Sequence, residues 1–266
     1  MKRWIYFICF CTLMVLVCEE LNKNRQDADP VAIETGSDQV VVTARLASQV
    51  KKENQRDRKI AYVTFDDGPS CNTEEISQIL QEKKAVATFF LISDNLTEKR
   101  QKSVKKLIAQ GNEVGIHTAC HEHEIMYKNE TAFMKDFMTA YEKIEKTTGV
   151  KPKVQRFPWG SNNGFARGFV DSATEKMHGM GVKSFDWSVS GEDAVRMNVS
   201  TAEIIANVKK DLTRFQYPII LLHDSGGAKN TPKALPRILD YIRQQGYEFG
   251  VLSDRDEYQF PKKWRK

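Results

Sequence analysis

A chain of 266 residues, 41% of them apolar, fits one large domain or two small ones and has enough apolar residues to bury a substantial core. That composition excludes disorder as a whole. The net charge of +5 is a diffuse basic bias that suits an anionic wall or membrane surface, and with no basic stripe or reading motif it makes no case for nucleic acid as a partner.

The first element reads as an export signal. Lys2 and Arg3 precede an apolar run over residues 4–18, which Glu19 and Glu20 end. The run is short for a membrane span, which needs about 20 residues, but Trp4 and the basic pair suit an anchor. Small residues are missing where a peptidase would cut, and Val17 is larger than the residue a lipidated Cys18 prefers. An uncleaved anchor holding the rest outside the cytoplasm is therefore the expectation, with cleavage and lipidation left open. Residues 19–58 are polar, with one apolar patch at 40–42 and room for a helix within 43–52, and read as a linker or stalk.

The character changes at Lys59. Residues 60–65 form a short apolar run ending in turn residues, which predicts a buried strand. Asn72 then caps a helix running to about Lys84, residues 85–92 read as a strand, and a helix over 97–110 closes on Gly111. A strand over 113–116 is followed by a helix over 130–148, marked by Phe133, Phe137, Tyr141 and Ile144 and stopped at Gly149. Further strands are expected over 154–157, 182–187, 219–223 and 247–252, with helices over 165–180, 201–215 and 232–245 between them. Strand and helix alternating about seven times predict an α/β fold of about seven parallel strands, a closed or nearly closed (β/α) barrel forming a single catalytic domain over 59–254. Residues 255–266 read as a loosely held basic tail. In such folds the site gathers at the carboxyl ends of the strands, so functional residues should follow strands directly.

Two fragments carry chemistry on their own terms. Asp66 and Asp67 stand at the end of the first strand before Gly68-Pro69, and adjacent acids there repel unless a cation or proton sits between them. A turn-forming acid pair is the bland alternative. His117 and His121, four residues apart after the third strand, fit one face of a helical turn and can converge on one ion. One Asp and two His make an open divalent site.

With these fragments in hand, the chain resembles the polysaccharide deacetylases, the family-four carbohydrate esterases that share the NodB homology domain and include peptidoglycan N-acetylglucosamine deacetylases. Asp66-Asp67-Gly68-Pro69 and His117-x-x-x-His121 are similar to the family's first two motifs. Arg156-Phe157-Pro158-Trp159-Gly160 is similar to the third, and Leu221-Leu222-His223 to the fifth. The likeness covers about residues 59–252. The fourth motif, Asp-x-x-Asp-Trp, departs. One placement uses Asp186-Trp187 with Lys183 at the first acid; the preferred one takes Ser190-Gly191-Glu192-Asp193-Ala194, keeping the second acid and replacing Trp with Ala194.

The resemblance implies roles. Asp67, His117 and His121 would hold one divalent metal ion, zinc first, with cobalt or another divalent as alternatives. Asp66 would be the general base, kept ionised and oriented by Arg156, and His223 the general acid, held by Asp193. A backbone N–H near Trp159 would help the oxyanion. Pro158, Trp159 and Leu221 would bind substrate, with Leu221 against the acetyl methyl. His123 and His178 read as surface residues. Cys71 and Cys120 fall close to these motifs; they either pair to brace the pocket or stay as unpaired small hydrophobes.

The expected activity is removal of N-acetyl groups from a glycan polymer, N-acetylglucosamine of peptidoglycan first, by an extracytoplasmic monomer associated with membrane through its N-terminus. Alternatives are an O-acetyl esterase on xylan or another glycan, a chitooligosaccharide deacetylase, and an inactive wall-binding protein.

Overall fold

The structure, a computed structural model, describes residues 58–264. The expected export segment (1–18), the lipidation question at Cys18, the linker up to Asp57 with its helix over 43–52, and the last two residues lie outside the described residues. Among the described residues no helix is long and apolar enough to cross a membrane.

The elements run β1 (Lys59–Gly68), α1 (Thr73–Glu82), β2 (Ala87–Ile92), α2 (Glu98–Ala109) and β3 (Glu113–Thr118). A single turn, α3 (His123–Met126), leads to α4 (Glu130–Thr148), β4 (Val154–Gln155), α5 (Val170–Gly179), β5 (Lys183–Ser184) and β6 (Val189–Ser190). The chain ends with α6 (Thr201–Leu212), β7 (Ile219–His223), α7 (Thr231–Gln244) and β8 (Tyr247–Phe249). Seven strands follow the order β5-β4-β3-β2-β1-β7-β6, and β8 pairs with the start of β1. Every pairing is parallel, and consecutive strands that pair are joined by a helix that carries the chain back over the sheet; only the short β5–β6 connection, between the two ends of the path, lacks one. The expected seven-stranded barrel is thus found as a curled sheet whose path is open between β5 and β6.

Alternation along β1 explains why the strand is central. Val63 and Phe65 join the large core under the helices, where Phe65 stacks on Phe89 with ring centroids 4.9 Å apart. Tyr62 turns the other way, into a smaller core inside the curl with Phe90, Val154, Phe185, Ile219 and Leu252. Both faces are buried, so the strand reads as a continuous apolar run. Truncating Phe65 to Ala would cost about 3–5 kcal/mol, the usual range for a filled aromatic site.

The helices present one apolar stripe each and are closed by local chemistry. In α4 the Asn129 side chain accepts the Ala132 N–H, Phe133, Phe137, Ala140 and Ile144 are buried, and Gly149 ends the helix at φ 75°. In α6 the Ser200 side chain accepts the Glu203 N–H.

Several expectations change. The helix expected from residue 165 begins only at Val170, because the Asn163 side chain takes the Ala166 N–H and folds the preceding residues into turns. The strand expected to run to 252 ends at Phe249; an added Cβ at Gly250 would meet Ile60 and Tyr62, so the backbone leaves the sheet there at close approach. The tail is docked rather than loosely held. Tyr258 bridges to Phe185 in parallel fashion, its carbonyl accepts the Asp186 N–H at 2.7 Å, and Glu257 accepts the Ser184 N–H. These bonds take up the backbone donors of the exposed β5 edge, so the domain extends to at least Phe260.

Candidate active site

A pocket of about 410 Å³ opens at the carboxyl ends of the strands. Asp66, Asp67, His117 and His121 line one part of it, and Leu221 and His223 another. Strand pleating puts neighbours on opposite faces, so Asp66 and Asp67 should point apart. They do not. Asp67 has φ 71°, and the β1–β2 register shifts between Phe65 and Gly68, which turns the second carboxylate back into the same pocket. His121, Trp159 and Glu192 also line the pocket at φ 62°, 62° and 53°. Four non-glycine residues in the left-handed region around one cavity mark local strain held by the surroundings.

The histidines converge, but not on a helical turn. His117 belongs to β3, and His121 follows in a tight turn at positive φ. The turn is held from below by Asp136 on α4, whose carboxylate accepts Thr118 Oγ1 at 2.6 Å and the Ala119 N–H at 2.8 Å. His117 Nδ1 donates to the Arg156 carbonyl at 2.9 Å, which fixes the tautomer and leaves Nε2 for the pocket. The Nε2 atoms of His117 and His121 lie 3.5 and 3.4 Å from Asp67 Oδ1. Two imidazole nitrogens and a carboxylate oxygen within 4.8 Å of one another fit a divalent transition ion. Burial works against ionisation of Asp67, but its hydrogen bond to His117 and the nearby imidazoles outweigh it and hold its carboxyl well below the usual range.

Beside the triad, Arg156 Nη1 donates to Asp66 Oδ1 at 2.8 Å and to Thr64 Oγ1 at 2.7 Å, while its Nε donates to the Phe185 carbonyl. The guanidinium is fully buried, 4.3 Å from the Phe90 ring centroid. Across the pocket, His223 Nδ1 lies 2.8 Å from Asp193 Oδ1, and Asp193 Oδ2 accepts the His223 N–H and Thr231 Oγ1. Burial lowers the His223 pKa, but the Asp193 hydrogen bond and charge, with Asp66 and Asp67 beyond, raise it to about 9. Asp193 is therefore the carboxylate that meets His223. Asp186 lies elsewhere, accepting Ser161 Oγ, the Ser161 N–H and the Phe260 N–H.

Other expectations are adjusted. Trp159 and Leu221 line the pocket, but Pro158 does not; it is buried, and its carbonyl accepts Tyr127 Oη and Asn163 Nδ2. The Gly160 and Ser161 N–H groups are committed to the Phe157 carbonyl and to Asp186, so neither is the expected backbone donor. His178 is exposed against Glu257, whereas His123 packs its ring on Phe165 and edge-on to Trp159 at the pocket rim. Cys71 and Cys120 are free thiols, so the pocket is braced by carboxylates and not by a disulfide.

Sequence reasoning missed the bracing acids and one wall. Asp224 accepts Ser70 Oγ and Thr73 Oγ1 beneath the Asp67-Gly68 turn, and its own N–H donates to the Asp66 carbonyl. Asp136 had a visible signal: a carboxylate beside Phe137 on the buried stripe of α4 needs a partner. Trp187, Glu192 and Val195 also line the pocket.

Comparison with known proteins places this geometry. The family model described as polysaccharide deacetylase matches residues 53–177. A peptidoglycan-N-acetylglucosamine deacetylase of Bacillus cereus is 34% identical over 209 residues, covering 77% of this chain and 73% of that protein. A bifunctional xylanase/deacetylase of Pseudobutyrivibrio xylanivorans is 30% identical over 203 residues, 76% of this chain and 31% of that protein. The crystal structure of the catalytic domain of a peptidoglycan N-acetylglucosamine deacetylase from Eubacterium rectale superposes with a TM-score of 0.70 at 27% identity, covering 76% of this chain and 93% of that one. Sequence and fold agree, and the chain belongs to the polysaccharide deacetylase family, a family of hydrolases.

Proposed function

We propose that this hydrolase removes N-acetyl groups from an amino-sugar polymer with the help of one divalent ion, and that its substrate is N-acetylglucosamine in peptidoglycan. The observation that carries the reading is the placement of a buried Arg156–Asp66 pair and a buried Asp193–His223 pair around one three-ligand set. Asp67, His117 and His121 would hold the ion, with zinc favoured by the two-imidazole, one-carboxylate donor set. Such an ion supplies Lewis acidity, polarising an acyl carbonyl and acidifying water.

The chain's own residues supply the proton transfers. Asp66, oriented by Arg156, accepts a proton from the attacking water. His223 carries its proton at neutral pH because Asp193 faces Nδ1, and Nε2 delivers it to the departing sugar nitrogen. Leu221 gives the pocket an apolar surface suited to an acetyl methyl, and a backbone N–H near Trp159 would donate to the developing oxyanion.

The peptidoglycan substrate draws on the Bacillus cereus and Eubacterium rectale relatives, and an exported, membrane-associated enzyme on the N-terminal sequence pattern. The xylanase/deacetylase relative favours a second reading, hydrolysis of O-acetyl groups on xylan by the same residues. The purified chain should release free amines from N-acetylated peptidoglycan and lose that activity in chelator. Acetate release confined to O-acetylated xylan would replace the first reading with the second.

A further inference from the structure

Asp186 is buried and joins two parts of the chain far apart in sequence. Its carboxylate accepts the Phe260 N–H at 2.6 Å, together with Ser161 Oγ at 2.5 Å and the Ser161 N–H at 2.8 Å, while its own N–H donates to the Tyr258 carbonyl at 2.7 Å. One acid thus ties the C-terminal segment to the turn that carries Trp159 and Gly160.

Above this tie, the Phe260 ring meets the Trp187 ring at 4.9 Å between centroids and 81° between planes, the edge-to-face arrangement that aromatic pairs favour. Gly160 fits under both. A Cβ there would lie 2.9 Å from Phe260 and 3.1 Å from Trp187, and φ is 84°, so only glycine lets the three groups close together. Trp187 is also partly exposed and lines the pocket, which Ala194 lines with only a methyl group.

We propose that Trp187 is the apolar wall against which a sugar ring of the substrate rests, and that Phe260 is a positioning residue that sets its angle. The C-terminal segment is then part of the substrate-binding apparatus, although none of its residues lines the pocket. Asp186 anchors the arrangement. The chemistry of the occupant follows from the wall: an indole ring favours the C–H face of a pyranose, which is apolar and flat enough to lie on it. This assignment rests on the deacetylase reading for the identity of the sugar.

The test is calorimetric titration of the full chain with a tetramer of N-acetylglucosamine, alongside Trp187→Ala, Phe260→Ala and Phe260→Tyr. Loss of one well-formed aromatic contact should weaken binding about 3- to 10-fold in the first two. Phe260→Tyr keeps the ring edge and should bind as the parent does. In turnover, the loss from Phe260→Ala should fall on KM rather than kcat. Unchanged affinity in Trp187→Ala or Phe260→Ala, or no binding by the parent, overturns the wall. If melting curves show that Phe260→Ala does not fold, Phe260→Leu replaces it, with the same two outcomes. A parent that binds the tetramer but releases no acetate from any glycan breaks the deacetylase reading and leaves the wall standing.

Discussion

Arg156 Nη1 donates to Asp66 Oδ1 at 2.8 Å, and the two side chains meet inside the curl of the sheet with almost no access to water. Thr64 and the Phe185 and Asp186 carbonyls take three more of the five guanidinium N–H donors, so the group is held by neutral acceptors on one side and offered to the carboxylate on the other. The arrangement orients Asp66 without removing it from the pocket.

Asp66→Asn keeps the shape and an acceptor for Arg156 but removes the base. Turnover should fall by about 10²- to 10⁴-fold, the usual worth of a positioned general base. Elemental analysis of the variant should still find metal, since Asp66 is not one of the three converging ligands. Metal loss would show that the two acids have exchanged roles.

His223 gives a pH dependence whose sign is fixed. Its folded pKa is raised to about 9 from an ordinary 6.5, through Asp193 against the opposing effect of burial. A raised pKa means that folding favours the charged form. The stabilisation is fully present below pH 6.5 and is lost as pH rises through about 9. In chelator-treated protein, an NMR titration should place the His223 midpoint near 9, and denaturant midpoints should fall over that window. Asp193→Asn should bring the midpoint back toward the ordinary value; a midpoint unmoved by Asp193→Asn would remove that residue as the cause.

The parts legible in sequence were those with a short-range signal. Alternating strand and helix implied the parallel sheet, and acids or histidines at strand ends implied the pocket. The convergence of His117 and His121 was legible, but its geometry was not. Spacing of four suits a helix, whereas here a strand end and a left-handed turn held by Asp136 do the same work. The docked tail was invisible for a different reason. Glu257, Tyr258 and Phe260 pair with residues some 70 positions away, and neither composition nor periodicity records such a partner.

Asp193 and Asp186 should separate cleanly by substitution. Asp193→Asn alters the group facing His223 Nδ1 and should lower kcat strongly, with a loss of stability below about pH 9 as the charged imidazole loses its partner. Asp186→Asn turns an amide donor toward the Phe260 or Ser161 donors, and should cost about 1–3 kcal/mol of stability with the smaller loss of kcat. The opposite order of kcat losses would return the fourth motif to Asp186.

The ligand set predicts linkage between metal and stability. Adding zinc to chelator-treated protein should raise the melting temperature with concentration, because an ion that binds only the folded chain stabilises it by mass action, about 2.7 kcal/mol at a hundredfold excess over Kd. His121→Ala should abolish that response while leaving the metal-free melting temperature close to the parent's, since His121 is partly exposed and lies at the rim. An equal zinc response in parent and variant would exclude His121 from the set.

Gly68 tests whether the turn under the metal ligands is as tight as its contacts imply. A Cβ there would sit 2.6 Å from Asp224 Oδ2, and Asp224 cannot retreat easily because Ser70, Thr73 and its own N–H to the Asp66 carbonyl hold it. The strain must therefore move the turn, and Asp67 is the residue next to it. Gly68→Ala should destabilise the fold by about 1–3 kcal/mol through overpacking. It should also weaken zinc binding in a competition titration by more than a neutral surface change such as Lys102→Ala. Removing the obstruction provides the control: in Gly68→Ala/Asp224→Ala the new methyl has space, and zinc affinity should recover toward that of Asp224→Ala alone. Strict additivity of the two substitutions would mean that Gly68 and Asp224 act on the site separately.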